Sequence, residues 1–295
     1  MKLIRDPKKL QAILEQERRK GQSVGFVPTM GALHEGHLSL VRAAHRENDI
    51  TVVSIFVNPT QFGPKEDLSK YPRPVHKDIK FLREEKVDFV LMPSVGAMYP
   101  EGLAGPLRIQ GAQWPRFAKG FCGKFRPGHF RGVATVVAKL LWIVGCCRLY
   151  LGAKDFQQVA VIRQLVRDLN MKTRVCVMPT VREKDGLALS SRNRYLSSEE
   201  RRRALAISRA LFSLRKDLLR KKLGVASCRA RALCELRKNV DRVQYFEIVD
   251  PGTLVPVKKR RKQMAVLTAC FVGKTRLIDN VIIRARRRTS GVGSV

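Results

Sequence analysis

Short β-branched runs alternate with helical stretches through the first two-thirds of the chain. Ser23 to Val27 reads as a buried strand, Thr51 to Val57 as the most strand-like segment, and Val87 to Leu91 as a strand closed by Pro93. His37 to Arg46 places Leu38, Val41 and Ala44 on one helical face, and Asp78 to Glu85 also reads as helical. Val133 to Val144 is rich in valine but longer than an ordinary strand, which argues for a helix. Leu149 to Leu151 is a brief strand, Asp155 to Leu169 an amphipathic helix, and Arg174 to Met178 a strand ended by Pro179. Strands separated by helices imply parallel pairing through right-handed crossovers. The expected fold class is therefore α/β, with a doubly wound parallel sheet.

The pattern changes after Val181. Glu199 to Lys222 reads as a long charged helix with Leu205, Leu211, Leu214 and Leu218 inside, and Ser198 and Glu199 suit its start. A second helix covers Ala226 to Lys238. Strands follow at Gln244 to Val249, Met264 to Val272 and Leu277 to Ile283, with turns at Pro251-Gly252 and Gly273-Lys274. That order predicts a smaller α+β domain and a division into residues 1–182 and 183–295. Arg286 to Val295 reads as a frayed tail.

Composition changes the picture in three ways. Hydrophobic residues make up 44%, enough for a real core. The longest apolar candidate, Val136 to Cys147, contains Lys139 and falls short of the ~18 residues of a membrane span. With no apolar region at the N-terminus, the expectation is a soluble, cytoplasmic protein. The cysteines (Cys122, Cys146, Cys147, Cys176, Cys228, Cys234, Cys270) form no Cys-x-x-Cys pair, which speaks against a zinc ribbon or a disulfide scaffold. The third is charge. The net value is +33, concentrated after Arg201 in runs such as Lys258 to Lys262. Such a field attracts polyanions, so non-specific nucleic-acid affinity is expected from charge alone. No RNA-reading motif accompanies it, and a solvated basic surface accounts for the same composition.

Four segments carry candidate chemistry. Pro28 to His37 follows the first strand and leads into the first helix, where open α/β sheets bind ligands. His34 and His37 there can bond phosphate oxygens, helped by the helix N-terminus, and can protonate a leaving pyrophosphate. A zinc pair or two surface histidines would look alike, although a third metal ligand is missing at suitable spacing. Asn58 and Gln61, after the second strand, suit the hydroxyls and carboxylate of a small polar substrate, and an Asn-Pro turn is the plain alternative. In Leu151 to Gln158 a strand again ends in glycine. Lys154 offers a point charge for phosphate, Asp155 an acceptor for ribose hydroxyls or an ordinary helix cap, and Gln158 lies one turn later. Asp185 to Asn193 combines Ser190, Ser191 and Arg192 as a loop able to close over a triphosphate.

Together with Tyr71-Pro72-Arg73, Arg126-Pro127-Gly128-His129-Phe130, Pro179 to Leu196 and Thr275 to Asn280, these stretches make the chain resemble the pantothenate synthetase (pantoate–β-alanine ligase) family over nearly its whole length. The resemblance implies a Rossmann-like nucleotidyltransferase domain, a C-terminal lid domain and a homodimer. It implies that ATP, with Mg2+, activates pantoate as pantoyl adenylate, and that β-alanine then yields pantothenate and AMP. Carried over residue by residue, Met30, Gly31, Ala32, Leu33, His34, Glu35, Gly36 and His37 would line the nucleotide site. His34, His37 and Lys154 would form the catalytic set, with His37 as proton donor. Gly152, Ala153, Lys154 and Asp155 would bind ribose and phosphate, and Val181 would meet adenine. Leu189, Ser190, Ser191 and Arg192 would close on the β- and γ-phosphates. Gln61 would hold pantoate beside the β-alanine site, with Gln158 and Asn58 as further substrate contacts, and Asp78 would stand near the metal.

The chain also departs from the family. Ala153 stands where a glutamate is common, Gly145 to Arg148 replaces a polar turn, and Lys77 sits beside Asp78 where some members carry a second acid.

Overall fold

The computed structural model describes residues 1–64, 66, 68–103, 116–220 and 222–284; the expected tail from Arg286 and Lys221 lie outside them. The chain divides into two compact units, Met1–Arg194 and Tyr195–Val295, so the loop after Arg182 belongs with the first unit.

In the first unit β1 (Lys2–Ile4), β2 (Val24–Thr29), β3 (Ile50–Ile55), β4 (Phe89–Leu91), β5 (Cys147–Gly152) and β6 (Thr173–Met178) form one sheet. Their order is β1-β4-β3-β2-β5-β6, and every pair is parallel. The helices are α1 (Pro7–Arg19), α2 (Glu35–Glu47), α3 (Val75–Glu84), α4 (Val95–Met98), α5 (Arg116–Lys119), α6 (Cys122–Phe125), α7 (His129–Val144) and α8 (Phe156–Asp168). This is the doubly wound architecture read from the pattern. Val27, Val53 and Val90, from three adjacent strands, are fully buried with Val41 of α2, Leu82 of α3 and Tyr150 of β5. All six residues of β3 are buried, Thr51 and Ser54 included, as a strand covered on both faces requires.

The opening pair, β1 and α1, is not among the expected elements. β1 offers only Ile4 to the core and is held by pairing with β4. α1 begins where Asp6 accepts a hydrogen bond from the Lys8 amide at 2.9 Å and Pro7 takes the first turn; it buries only Leu10 and Leu14.

The strand order fixes where a ligand can sit. From β2 the chain moves outward through β3 to β4 on one side, then returns to place β5 on the other side of β2. The carboxyl ends of β2 and β5 therefore flank the switch point, where loops diverge and leave a crevice.

The second unit holds α9 (Ser198–Arg220), α10 (Val225–Arg237) and the antiparallel sheet β7 (Arg242–Val249), β8 (Gln263–Val272), β9 (Thr275–Arg284). It is the α+β arrangement expected. α9 buries Leu211, Leu214 and Leu218 along one face, and its arginines stay outside. Among the described residues no helix is long and apolar enough to cross a membrane.

Candidate active site

The loop after β2 is braced before any ligand is considered. Thr29 donates from Oγ1 to the Ser54 carbonyl at 2.7 Å and accepts from the Gly31 amide at 3.1 Å. Gly31 (φ 79°) and Ala32 (φ 53°) are both left-handed, a conformation that strains alanine by about 1 kcal/mol or more. Asp78 offsets the strain: its two oxygens accept from the Ala32 and Leu33 amides, each at 2.8 Å. Burial pushes the Asp78 carboxyl up, partly opposed by those two amides and by Arg194 and Lys77. The residue expected at a metal is thus 1% exposed and committed to the backbone, and it does not fit a magnesium ligand. Among the described residues no cluster of three or more His, Cys, Asp or Glu could hold a metal ion.

The bracing delivers His34 to the start of α2. His34 is the helix N-cap, and its Nδ1 accepts from the Gly36 amide at 3.2 Å, which puts the ring proton on Nε2. The His37 ring lies 4.1 Å from it, centroid to centroid. His37 Nδ1 is shut off from solvent and has no hydrogen-bond partner among the described residues. Burial, then Lys154, pushes His34 down to about 4; burial, then His34 and Lys154, pushes His37 down to about 3. At neutral pH both rings are neutral.

From the other side of the switch point, the turn after β5 brings Lys154 and Asp155, 3.7 Å apart as an ion pair. Burial alone would raise the Asp155 carboxyl, but Lys154 and Arg192 hold it below its ordinary range. α8 then separates two neighbouring glutamines. Gln157 is buried, accepting from Cys122 N at 3.0 Å and donating to the Gly120 carbonyl at 2.9 Å. Gln158 lines the cleft.

That cleft has a volume of about 230 Å3. His34, His37, Gln61, Lys154, Asp155 and Gln158 all open on it, with Leu40, Val133 and Val137 as its apolar wall. Met30, Gly36, Asn58, Gly152, Val181, Leu189, Ser190, Ser191 and Arg192 line it too. Five expected nucleotide contacts do not. Gly31, Ala32 and Leu33 form the braced turn, and Ala153 is buried. Glu35 faces outward and pairs with Arg42.

Asn58 lines the cleft yet is consumed internally. Its Oδ1 accepts from Tyr99 Oη at 2.7 Å, Thr60 Oγ1 at 3.0 Å and Thr60 N at 3.3 Å. Its Nδ2 donates to the Gly132 carbonyl and to Gln61 Oε1, both at 3.2 Å. Two residues without an assigned role, Arg126 and His129, also line the cleft. His129 Nδ1 lies 2.8 Å from the Gln61 carbonyl, and Arg126 pairs with Glu66 at 2.6 Å. Their signal was present in the Arg126-Pro127-Gly128-His129 run, but a contact to a backbone carbonyl has no sequence signature.

A doubly wound sheet whose switch-point crevice gathers imidazoles, a lysine and an arginine-bearing loop defines a phosphate-handling α/β enzyme, with glutamines placed for a second, uncharged contact. The chain belongs to the pantoate–β-alanine ligase family, whose model matches residues 2–282. It is 47% identical over 290 residues to the pantothenate synthetase of Sulfurihydrogenibium sp., covering 95% of this chain and 99% of that protein. Its fold is similar to that of pantothenate synthetase from Thermus thermophilus, with a TM-score of 0.88, 44% identity, and coverage of 95% and 99% of the two chains. It is also similar to the Francisella tularensis pantoate–β-alanine ligase complexed with β-γ ATP and β-alanine, with a TM-score of 0.78, 39% identity, and coverage of 96% and 97%.

Proposed function

We propose that this chain uses ATP to join pantoate to β-alanine through a pantoyl adenylate. The pantoate carboxylate attacks the α-phosphorus, the bond from that phosphorus to the bridging oxygen breaks, and pyrophosphate leaves. The β-alanine amine then attacks the acyl carbon, the carbon–oxygen bond to AMP breaks, and the amine gives up a proton as pantothenate forms. One observation carries the reading: the two histidines, Lys154 and the two glutamines open on a single cleft. The Francisella tularensis ligase, similar over nearly the whole chain, is complexed with β-γ ATP and β-alanine, which supports those ligands here.

In this reading Lys154, Ser190, Ser191 and Arg192 receive the phosphates, and Val181 lies where adenine would rest. Gln61 and Gln158 hold pantoate against the apolar wall. No covalent step on the protein is needed, so the work is alignment and charge stabilisation. The neutral imidazoles enter as N–H donors. A triphosphate that neutralises Lys154 removes part of what depresses them, so that His37 can take up a proton and give it to the departing pyrophosphate. Magnesium, in this proposal, arrives with the phosphates, and no residue is assigned to it.

The test is exchange of labelled pyrophosphate into ATP. Exchange should require pantoate and not β-alanine; exchange independent of pantoate, or none from folded protein, removes the reading. His37→Ala should lower kcat about 10²- to 10³-fold with an unchanged melting temperature.

A further inference from the structure

Gln61 is held from two directions, and the holding groups lead away from the reacting atoms. On one side Asn58 Nδ2 meets its Oε1. On the other, its carbonyl accepts from His129 Nδ1 at 2.8 Å. His129 Nε2 lies 2.9 Å from Arg126 Nη1. A guanidinium only donates, so Nε2 must carry the lone pair and Nδ1 the proton. Arg126 is fixed in turn by Glu66 through two hydrogen bonds of 2.6 Å, with the two side chains 13% and 24% exposed. A fork-to-fork pair in that setting has one geometry.

We propose that Glu66 and Arg126 are positioning residues for the grip on the organic acid. They lock His129 as the neutral Nδ1–H tautomer, which anchors the Gln61 backbone and so fixes the side-chain amide that donates to the substrate. The kinetic part rests on the pantoate reading given above; the tautomer lock does not. Burial, then Arg126, pushes His129 down to about 3, against the hydrogen bond to the Gln61 backbone and weaker pulls from Glu66 and Asp155. The Phe130 ring, 5.0 Å away, completes its surroundings.

Two measurements test it. In steady-state kinetics, Glu66→Gln and Arg126→Met should each raise KM for pantoate roughly tenfold to a hundredfold and leave KM for ATP within about twofold. His129→Asn, whose amide can replace the Nδ1–H donor, should stay closer to the parent than His129→Leu. In nitrogen-15 spectra of histidine-labelled protein, parent His129 should remain the neutral Nδ1–H form at pH 5, and Arg126→Met should raise the pH at which it protonates and release the fixed tautomer. Equal rises in both KM values, an unchanged pantoate KM in both variants, or an Nε2–H ring in the parent would overturn the proposal. If Arg126→Met does not fold, Glu66→Gln carries the kinetics. A parent that makes no use of pantoate would remove the functional reading, and the spectra would still decide the lock.

Discussion

At position 58 a side chain suited to substrate is taken up by the protein itself. Thr60 N can only donate and the Gly132 carbonyl can only accept, so the Asn58 amide has a single orientation. Gln61 must then turn Oε1 toward Asn58 Nδ2, which leaves Nε2 facing the cleft, where it meets Met30 Sδ at 2.9 Å. In the proposed reading, the substrate group that meets Gln61 is therefore an acceptor, a carboxylate or hydroxyl oxygen. Asn58→Asp removes the donor that sets this polarity and puts an oxygen against the Gly132 carbonyl. It should cost about 1–3 kcal/mol in urea unfolding and raise KM for pantoate; an unchanged pantoate KM would show that Gln61 orients itself. Residue type and a place after a strand offered Asn58 and Gln61 together, with an Asn-Pro turn as the alternative, and only the family resemblance assigned Gln61 to pantoate. The sequence picked Gln158 over Gln157 but could not show that Asn58 is bonded within the protein, because which amide is already taken depends on partners such as Gly132, 74 residues away.

One close approach between elements seats Gln61. A Cβ on Gly132, in the first turns of α7, would lie 2.2 Å from the Thr60 carbonyl oxygen and 2.7 Å from Gln61 Cα. Both are backbone atoms and cannot step aside as a flexible side chain would. Only glycine lets α7 rest on the 3-10 turn Pro59–Gln61 and bring His129 within reach of the Gln61 carbonyl. Gly132→Ala should destabilise the fold by about 1–3 kcal/mol, as overpacking does, and impair pantoate use more than ATP binding. Full retention of pantoate affinity would mean that the turn can shift without consequence. The length of the run placed the body of α7 correctly, from Val133 to Val144, but its first turn starts at His129 behind left-handed Gly128. That turn holds the residues that matter, and its sequence carries no apolar repeat to mark it.

Over the whole molecule, buried neutral histidines tie stability to pH. His34, His37 and His129 are all held well below 6.5 by burial and neighbouring cations. Below 6.5 the unfolded chain binds protons that the folded chain refuses, so stability is full above that value. It is lost as pH falls toward the folded values near 3 to 4. Each such histidine contributes a slope of about 1.4 kcal/mol per pH unit in that window; His34 and His37 act on each other and count for less than two. Urea midpoints of the parent should therefore drop between pH 6.5 and 4.5, and His129→Asn should flatten the curve by about that slope for one proton. Parallel curves would show that His129 is already protonated in the fold.

The order of β-branched and amphipathic segments determined the parallel sheet, because burial on both faces of a strand and one face of a helix leaves a periodic mark on the chain. It also marked groups proposed to face phosphate, since His34, His37 and Lys154 sit where strands end and helices begin. Tertiary structure alone decided which polar residues serve the ligand and which serve the protein. Asp78 closes on the Ala32 and Leu33 amides, Glu35 turns to Arg42, and Glu66 reaches Gln61 through Arg126 and His129. A hydrogen bond between distant segments depends on the packing that brings them together, and no pattern along the chain records it.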